Sequence, residues 1–129
     1  MSILLSLEFE GLPPSVNAMY RTGKGSKRYK KPEVSEWQDE VASLMRSAWA
    51  KPRPYTGEVE VHILFTVGNK RKWEVDNRLK ALLDCLAHGG VVKDDTQISG
   101  ILALRRQGDT SSTKIEVREY TGNVKKSSK

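Results

Sequence analysis

The chain has 129 residues, enough for one hydrophobic core and short for two. It carries 22 Lys and Arg against 16 Asp and Glu, a formal net charge of +6, which suits a polyanionic partner. A single cysteine, Cys85, excludes an intrachain disulfide within this sequence, and with only two histidines neither a thiolate nor a His-rich zinc site is expected. No apolar run approaches the roughly 18–20 residues of a bilayer span, so no membrane partner is expected. The opening MSILLSLEFE lacks a cationic start and reaches Glu8 early, so a cytoplasmic protein is expected rather than a secreted one.

In chain order, Ile3, Leu5, Leu7 and Phe9 alternate and predict a half-buried strand over residues 2–10. Pro13-Pro14 ends it. Residues 15–21 read as a loop. From Arg21 to Lys31 come six cations (Arg21, Lys24, Lys27, Arg28, Lys30, Lys31) and no acid, which predicts a mobile arm or a short exposed hairpin. Pro32 suits a first helical position, and Glu33, Glu36, Asp39 and Glu40 suit the dipole of the helix that follows. Val34, Trp37, Val41, Leu44, Met45 and Ala48 recur at helical spacing as its buried face, and the Pro52 and Pro54 region stops it.

A strand is expected over residues 57–67, rich in β-branched side chains. Gly68-Asn69-Lys70 is a turn. A second helix is expected over residues 77–88, with Leu79, Leu82, Leu83 and Leu86 as its apolar stripe and Gly89 as a left-handed cap. Val91-Val92 is a short buried segment leading to Asp94-Asp95. Residues 98–106 and 112–120 read as a hairpin across Gln107-Gly108-Asp109, its second strand alternating Thr113, Ile115 and Val117 with Lys114, Glu116 and Arg118. The organisation expected is one domain over residues 1–120 and a basic flexible tail over 121–129. The fold class expected is α+β, with a mixed sheet and two main helices.

The chemistry concentrates between Lys70 and Asp95. Lys70, Arg71 and Lys72 precede Glu74 and Asp76; Lys80 follows one helical turn later, and Asp94-Asp95 lies beyond the helix. If their segment is extended, Glu74 and Asp76 share one side of it. At about 100° per residue, Asp76, Lys80 and Asp84 fall within roughly 80° of one another on the helix edge. Hard carboxylate oxygens are the donors magnesium takes, and such an ion can activate water and clamp phosphoryl oxygens. A lysine beside them offsets their repulsion and steadies developing negative charge. Each feature also has a plain reading. Glu74 and Asp76 can be an acidic helix start with Asp76 as N-cap. Asp94-Asp95 can be a solvated turn, and Asp84 a surface partner of Lys80. His88 reads as a helix-end cation, His62 as a strand residue, Trp37 and Trp49 as core or helix-interface residues and Cys85 as core. Trp73 could stack on a base.

Together these residues resemble the RusA family of Holliday junction resolvases. The matching elements are Pro13-Pro14-Ser15-Val16-Asn17 with Tyr20-Arg21, then Asp76-Asn77-Arg78-Leu79-Lys80-Ala81, then Val92-Lys93-Asp94-Asp95-Thr96-Gln97-Ile98. The resemblance runs from about residue 5 to 119. It implies a homodimer that nicks four-way junction DNA with magnesium in bacterial or phage recombination and repair; whether manganese can replace magnesium is left open by the sequence. It also implies Glu74, Asp76 and Asp95 as metal ligands, Lys80 as the functional lysine and Ser15, Val16, Asn17 and Ala18 as a DNA-contacting loop. One position departs, since Glu74 stands where an aspartate is expected; it is one methylene longer and still offers oxygen. Phosphate contacts are expected from Arg21, Lys24, Lys27, Arg28, Lys70, Arg71 and Lys72, and Tyr20 is expected among the nucleic-acid-binding residues. Two rival functions fit the residues: an inactive branched-DNA-binding protein, and a metal-dependent nuclease for another nucleic-acid structure.

Overall fold

A computed structural model of the chain describes residues 3–15, 20–22, 28–68 and 75–122. β1 (Ile3–Glu10) forms where the alternation predicts it, with Leu5 buried and Leu7 and Phe9 half-buried. β2 (Tyr20–Thr22) and β3 (Arg28–Lys30) pair antiparallel, Tyr20 opposite Lys30. Of the two readings of the cationic segment, the hairpin is the one seen.

α1 (Pro32–Trp49) starts on its proline and ends at Ala50, which takes a left-handed φ of 56° and donates its N–H to the Arg46 carbonyl. Its buried face is Val34, Gln38, Val41, Ala42, Met45 and Trp49. The expected stripe is therefore corrected at two places: Leu44 is 44% exposed and Ala48 is exposed. Gln38 and Ala42 take their place. Gln38 can be buried because its Nε2 donates to the Ala81 carbonyl at 3.0 Å. Trp37 is half-buried and meets Phe9 edge-on, with centroids 6.1 Å apart.

β4 (Val59–Val67) buries Val59, Val61, Ile63, Phe65 and Val67 along one face. α2 (Asp76–His88) buries Ala81, Leu82, Cys85 and Leu86, with Leu79 and Leu83 partly covered. A 3₁₀ turn (Asp95–Gln97) then leads into β5 (Ile98–Gln107), and β6 (Ser112–Glu119) follows. The four long strands form one mixed sheet in the order β1-β6-β4-β5, with β4 and β5 parallel and the other pairs antiparallel. Parallel neighbours need a crossover, and α2 is that crossover. The core lies between the odd-numbered face of β4 and the two helices.

The predicted hairpin of the last two strands is not formed: β4 lies between β5 and β6. β4 is apolar enough to be central, so it takes a partner on each edge. The short connection 108–111 must then step over the end of β4, about 9–10 Å from one neighbour to the other. It is tied there by Gly108 N–H to the Val67 carbonyl at 3.0 Å and Gly68 N–H to Ser111 Oγ at 2.9 Å. A Cβ on Gly68 would lie 2.8 Å from the Thr110 and Ser111 backbone, and one on Gly108 would run into Thr66 Cγ2. Those two glycines permit the step-over.

Candidate active site

Two segments build the site, and the core fixes both. The first is the start of α2. Its N-cap is Val75, with no side-chain cap, and Asp76 is the first helical residue. The reading of Asp76 as N-cap is therefore corrected. One turn on, Lys80 is exposed and its Nζ stands 3.6 Å from Asp84 Oδ2, the i,i+4 pair expected for Asp84. Arg78, two residues after Asp76, donates from Nη1 to the Pro13 carbonyl at 2.9 Å. That bond moors the Pro13–Ser15 stretch, where the DNA-contacting loop is expected to begin, against the same helix end.

The second segment runs from the end of α2 to the 3₁₀ turn. The left-handed residue is Gly90, with φ 79°, and not Gly89 as the sequence suggests. Gly89 has φ −85° and serves a close approach instead: a Cβ there would meet the Ala42 carbonyl of α1 at 2.7 Å. Val91 N–H returns to the Leu86 carbonyl at 2.9 Å, and Tyr55 N–H donates to the Val91 carbonyl at 2.8 Å. Val91 and Val92 are buried as expected. The chain therefore emerges at Lys93 with a fixed direction.

Asp94 caps the 3₁₀ turn: its Oδ1 accepts from Thr96 N–H at 3.1 Å, and the Gln97 side chain closes the reciprocal half of the capping box. The hydrogen bond from the Thr96 backbone, then one from the Asp95 carboxyl, hold Asp94 below the ordinary carboxylate range. Asp95 moves the opposite way. Its hydrogen bond to Asp94 raises it most, followed by desolvation and the negative charges of Asp94 and Asp84, with Lys80 opposing. The structure thus brings Asp95 into the field of Lys80 and Asp84 on α2, two segments converging on one place.

A cleft of about 480 Å³ opens there, walled by Ser35, Gln38 and Asp39 of α1, by Asp84, Ala87 and His88 of α2, and by Lys93, Asp94 and Asp95. His88 Nε2 lies 2.8 Å from Asp39 Oδ1. Asp39 and His88 were legible only as helix-end charges, because nothing in a single helix shows which groups the neighbouring helix will face. Gln38, the polar interruption in an apolar stripe, was the sequence signal that this face of α1 meets something polar.

The carboxylates in this cleft, Asp39, Asp84, Asp94 and Asp95, offer hard oxygens, and a carboxyl raised by neighbouring acids is one whose ionised form a divalent cation would favour. Among the described residues no three His, Cys, Asp or Glu side chains form a metal-holding group. Of the three predicted ligands, Glu74 lies outside the described residues and Asp76 is described by its backbone alone, which leaves Asp95. Val16, Asn17, Ala18, Lys24, Lys27, Lys70, Arg71, Lys72, Trp73 and the tail from residue 123 also lie outside them. Tyr20, Arg21 and Arg28 are placed as backbone in the β2–β3 hairpin. Among the described residues no helix is long and apolar enough to cross a membrane.

The model of the family described as endodeoxyribonuclease RusA matches residues 10–118. The crossover junction endodeoxyribonuclease RusA of Aquifex aeolicus (strain VF5) is 29% identical over 107 residues, covering 79% of this chain and 80% of that one. The protein of the same name from Enterobacteria phage HK97 is 31% identical over 94 residues, covering 72% and 76%. The matched region runs from the last residue of β1 into the end of β6 and contains both segments of the cleft, and the chain belongs to the RusA endodeoxyribonuclease family.

Proposed function

We propose that this protein is a magnesium-dependent endonuclease that resolves four-way DNA junctions by paired, symmetric nicks, acting as a homodimer in bacterial or phage recombination and repair. The observation that carries the reading is that Asp95 on the 3₁₀ turn and Asp84 on α2, the helix that Asp76 begins, line one cleft. The names of the relatives, both crossover junction endodeoxyribonucleases, favour a junction as substrate. The DNA it acts on puts the protein in the cytoplasm.

Glu74, Asp76 and Asp95 are the residues that would hold the ion. Bound there, it supplies a lowered water pKa and charge neutralisation at the phosphoryl oxygens. The chain supplies the rest. Lys80, at 53% side-chain exposure, can swing from Asp84 toward a phosphate without leaving a buried cavity. The Arg78–Pro13 bond ties the loop that meets DNA to the helix that carries the acids, so a contacted backbone is registered against the site. The cationic hairpin and residues 70–72 neutralise phosphates and draw DNA toward a cleft whose own acids would repel it. A two-fold dimer presents two identical sites to two strands of like polarity, as a junction requires.

A synthetic mobile junction tests this. With Mg²⁺ the parent nicks it in both strands of like polarity, and Asp76→Asn binds it without cutting. Cutting by Asp76→Asn at the parent rate would remove the metal-site assignment. Junction binding by the parent with no cutting would make it a binding module, and equal cutting of linear duplex or single strand would move the substrate elsewhere.

A further inference from the structure

The acid-bearing turn is closed by Thr96 N–H on Asp94 Oδ1 and Gln97 N–H on the Asp94 carbonyl, bonds within the turn that do not reach the sheet. Lys93, Asp94, Asp95 and Thr96 are all exposed, and like charges on Asp94, Asp95 and Asp84 push the turn away from α2. Gln97 is the half-buried side chain at its end. A side-chain amide has two donor hydrogens and two acceptor lone pairs. At Gln97 all four are used by backbone groups. Its Oε1 accepts from Lys93 N–H at 2.8 Å and from Asp94 N–H at 3.0 Å. Its Nε2 donates to the Tyr55 carbonyl at 2.7 Å and to the Gly57 carbonyl at 2.8 Å.

The two pairs of partners belong to different parts of the chain. Lys93 and Asp94 open the acidic turn, whereas Tyr55 and Gly57 lead into β4, the central strand of the sheet. With its hydrogen-bonding capacity filled, the amide has none left for DNA or an ion. We propose that Gln97 is a positioning residue: it clamps the turn that carries Asp95 to the segment entering β4, and through that clamp sets how tightly the site holds a divalent cation.

The residue type follows from the geometry. Glutamate would turn an oxygen toward two carbonyls, and asparagine is a methylene too short to reach both segments. Only a side chain with an oxygen on one branch, an NH₂ on the other and this length joins the two strands of backbone. The inference rests on the reading of Asp95 as a metal ligand, and its test keeps the two apart.

Mn²⁺ binding is titrated by electron paramagnetic resonance on the parent, Asp95→Asn and Gln97→Met, with folding checked by circular dichroism and thermal melting. Gln97→Met keeps the length and removes all four hydrogen bonds; if it fails to fold, Gln97→Asn replaces it. The parent should bind Mn²⁺, Asp95→Asn should not, and the Gln97 variant should bind about ten- to hundredfold more weakly, as loss of a supporting partner does at metal sites. Its nicking of a synthetic four-way junction should recover toward the parent rate as Mg²⁺ is raised. A lower melting temperature with Mn²⁺ affinity equal to the parent's would make Gln97 a stability residue only and overturn the proposal. Equal Mn²⁺ binding by the parent and Asp95→Asn would instead overturn the underlying assignment of Asp95, and the clamp's role with it.

Discussion

Asp95 is the residue where stability and the proposed function pull in opposite directions. Its carboxyl is raised in the folded protein, so ionising it costs more there than in the unfolded chain. The sign follows: a raised carboxyl opposes folding at neutral pH, and removing its charge relieves that opposition. In Asp95→Asn the side-chain amide could still donate to Asp94, as the protonated Asp95 does. That variant should therefore melt no lower than the parent without divalent ions, and should bind a junction in EDTA as tightly or more tightly. Its nicking with Mg²⁺ should fall by on the order of a hundredfold or more. Thermal melts, gel shifts and single-turnover nicking read these separately; loss of binding along with cutting would show that the substitution had damaged the fold instead. Lys80 and Asp84 were legible as a pair because helical spacing alone sets their approach. Gln97 was not legible as a clamp, because its partners Tyr55 and Gly57 lie about forty residues away and no local pattern brings them near.

At the scale of elements, the helices could be read from the sequence by their apolar periodicity, and β4 by its β-branched side chains. The order of strands could not. Local sequence shows that residues 98–107 and 112–119 are strands, but only competition for the edges of β4 decides that they flank it. Gly68 and Gly108 mark that crossing, though as glycines in turns they read as ordinary. The α1–α2 junction gives a sharper test. Gly89 and Gly90 look interchangeable in sequence but differ in what they do. Gly89→Ala puts a Cβ 2.7 Å from the Ala42 carbonyl, forcing the helices apart, and should cost about 1–3 kcal/mol in urea denaturation. Gly90→Ala meets nothing within 4 Å but must hold φ 79°, and should cost about 1–2 kcal/mol. The two differ in their rescue: Gly90→Asn should regain much of the loss, because asparagine tolerates a left-handed φ, while Gly89→Asn should be worse than Gly89→Ala.

For the whole molecule, the architecture separates two jobs. Folding energy comes from the core between sheet and helices, and the cleft with Asp84, Asp94 and Asp95 lies where α1, α2 and the acidic turn meet. The opposite sheet face carries Leu102 and Leu104 at 49% and 54% exposure, apart from the cleft. With a net charge of +6 and cationic clusters at residues 21–31 and 70–72, junction binding should be dominated by phosphate neutralisation. Affinity should fall by about 10³ or more between roughly 50 and 200 mM salt if six or more phosphates are contacted, measured by fluorescence anisotropy without divalent ions. A flat salt response would mean that the cationic clusters do not face DNA. The account as a whole depends on acids from two separate segments meeting at one ion. Anomalous diffraction from crystals of the full chain with Mn²⁺ locates that ion directly. The account predicts a peak roughly 2.1 Å from carboxylate oxygens of both Asp76 and Asp95. A peak elsewhere, or these two carboxylates turned away from each other with no ion between them, would contradict it.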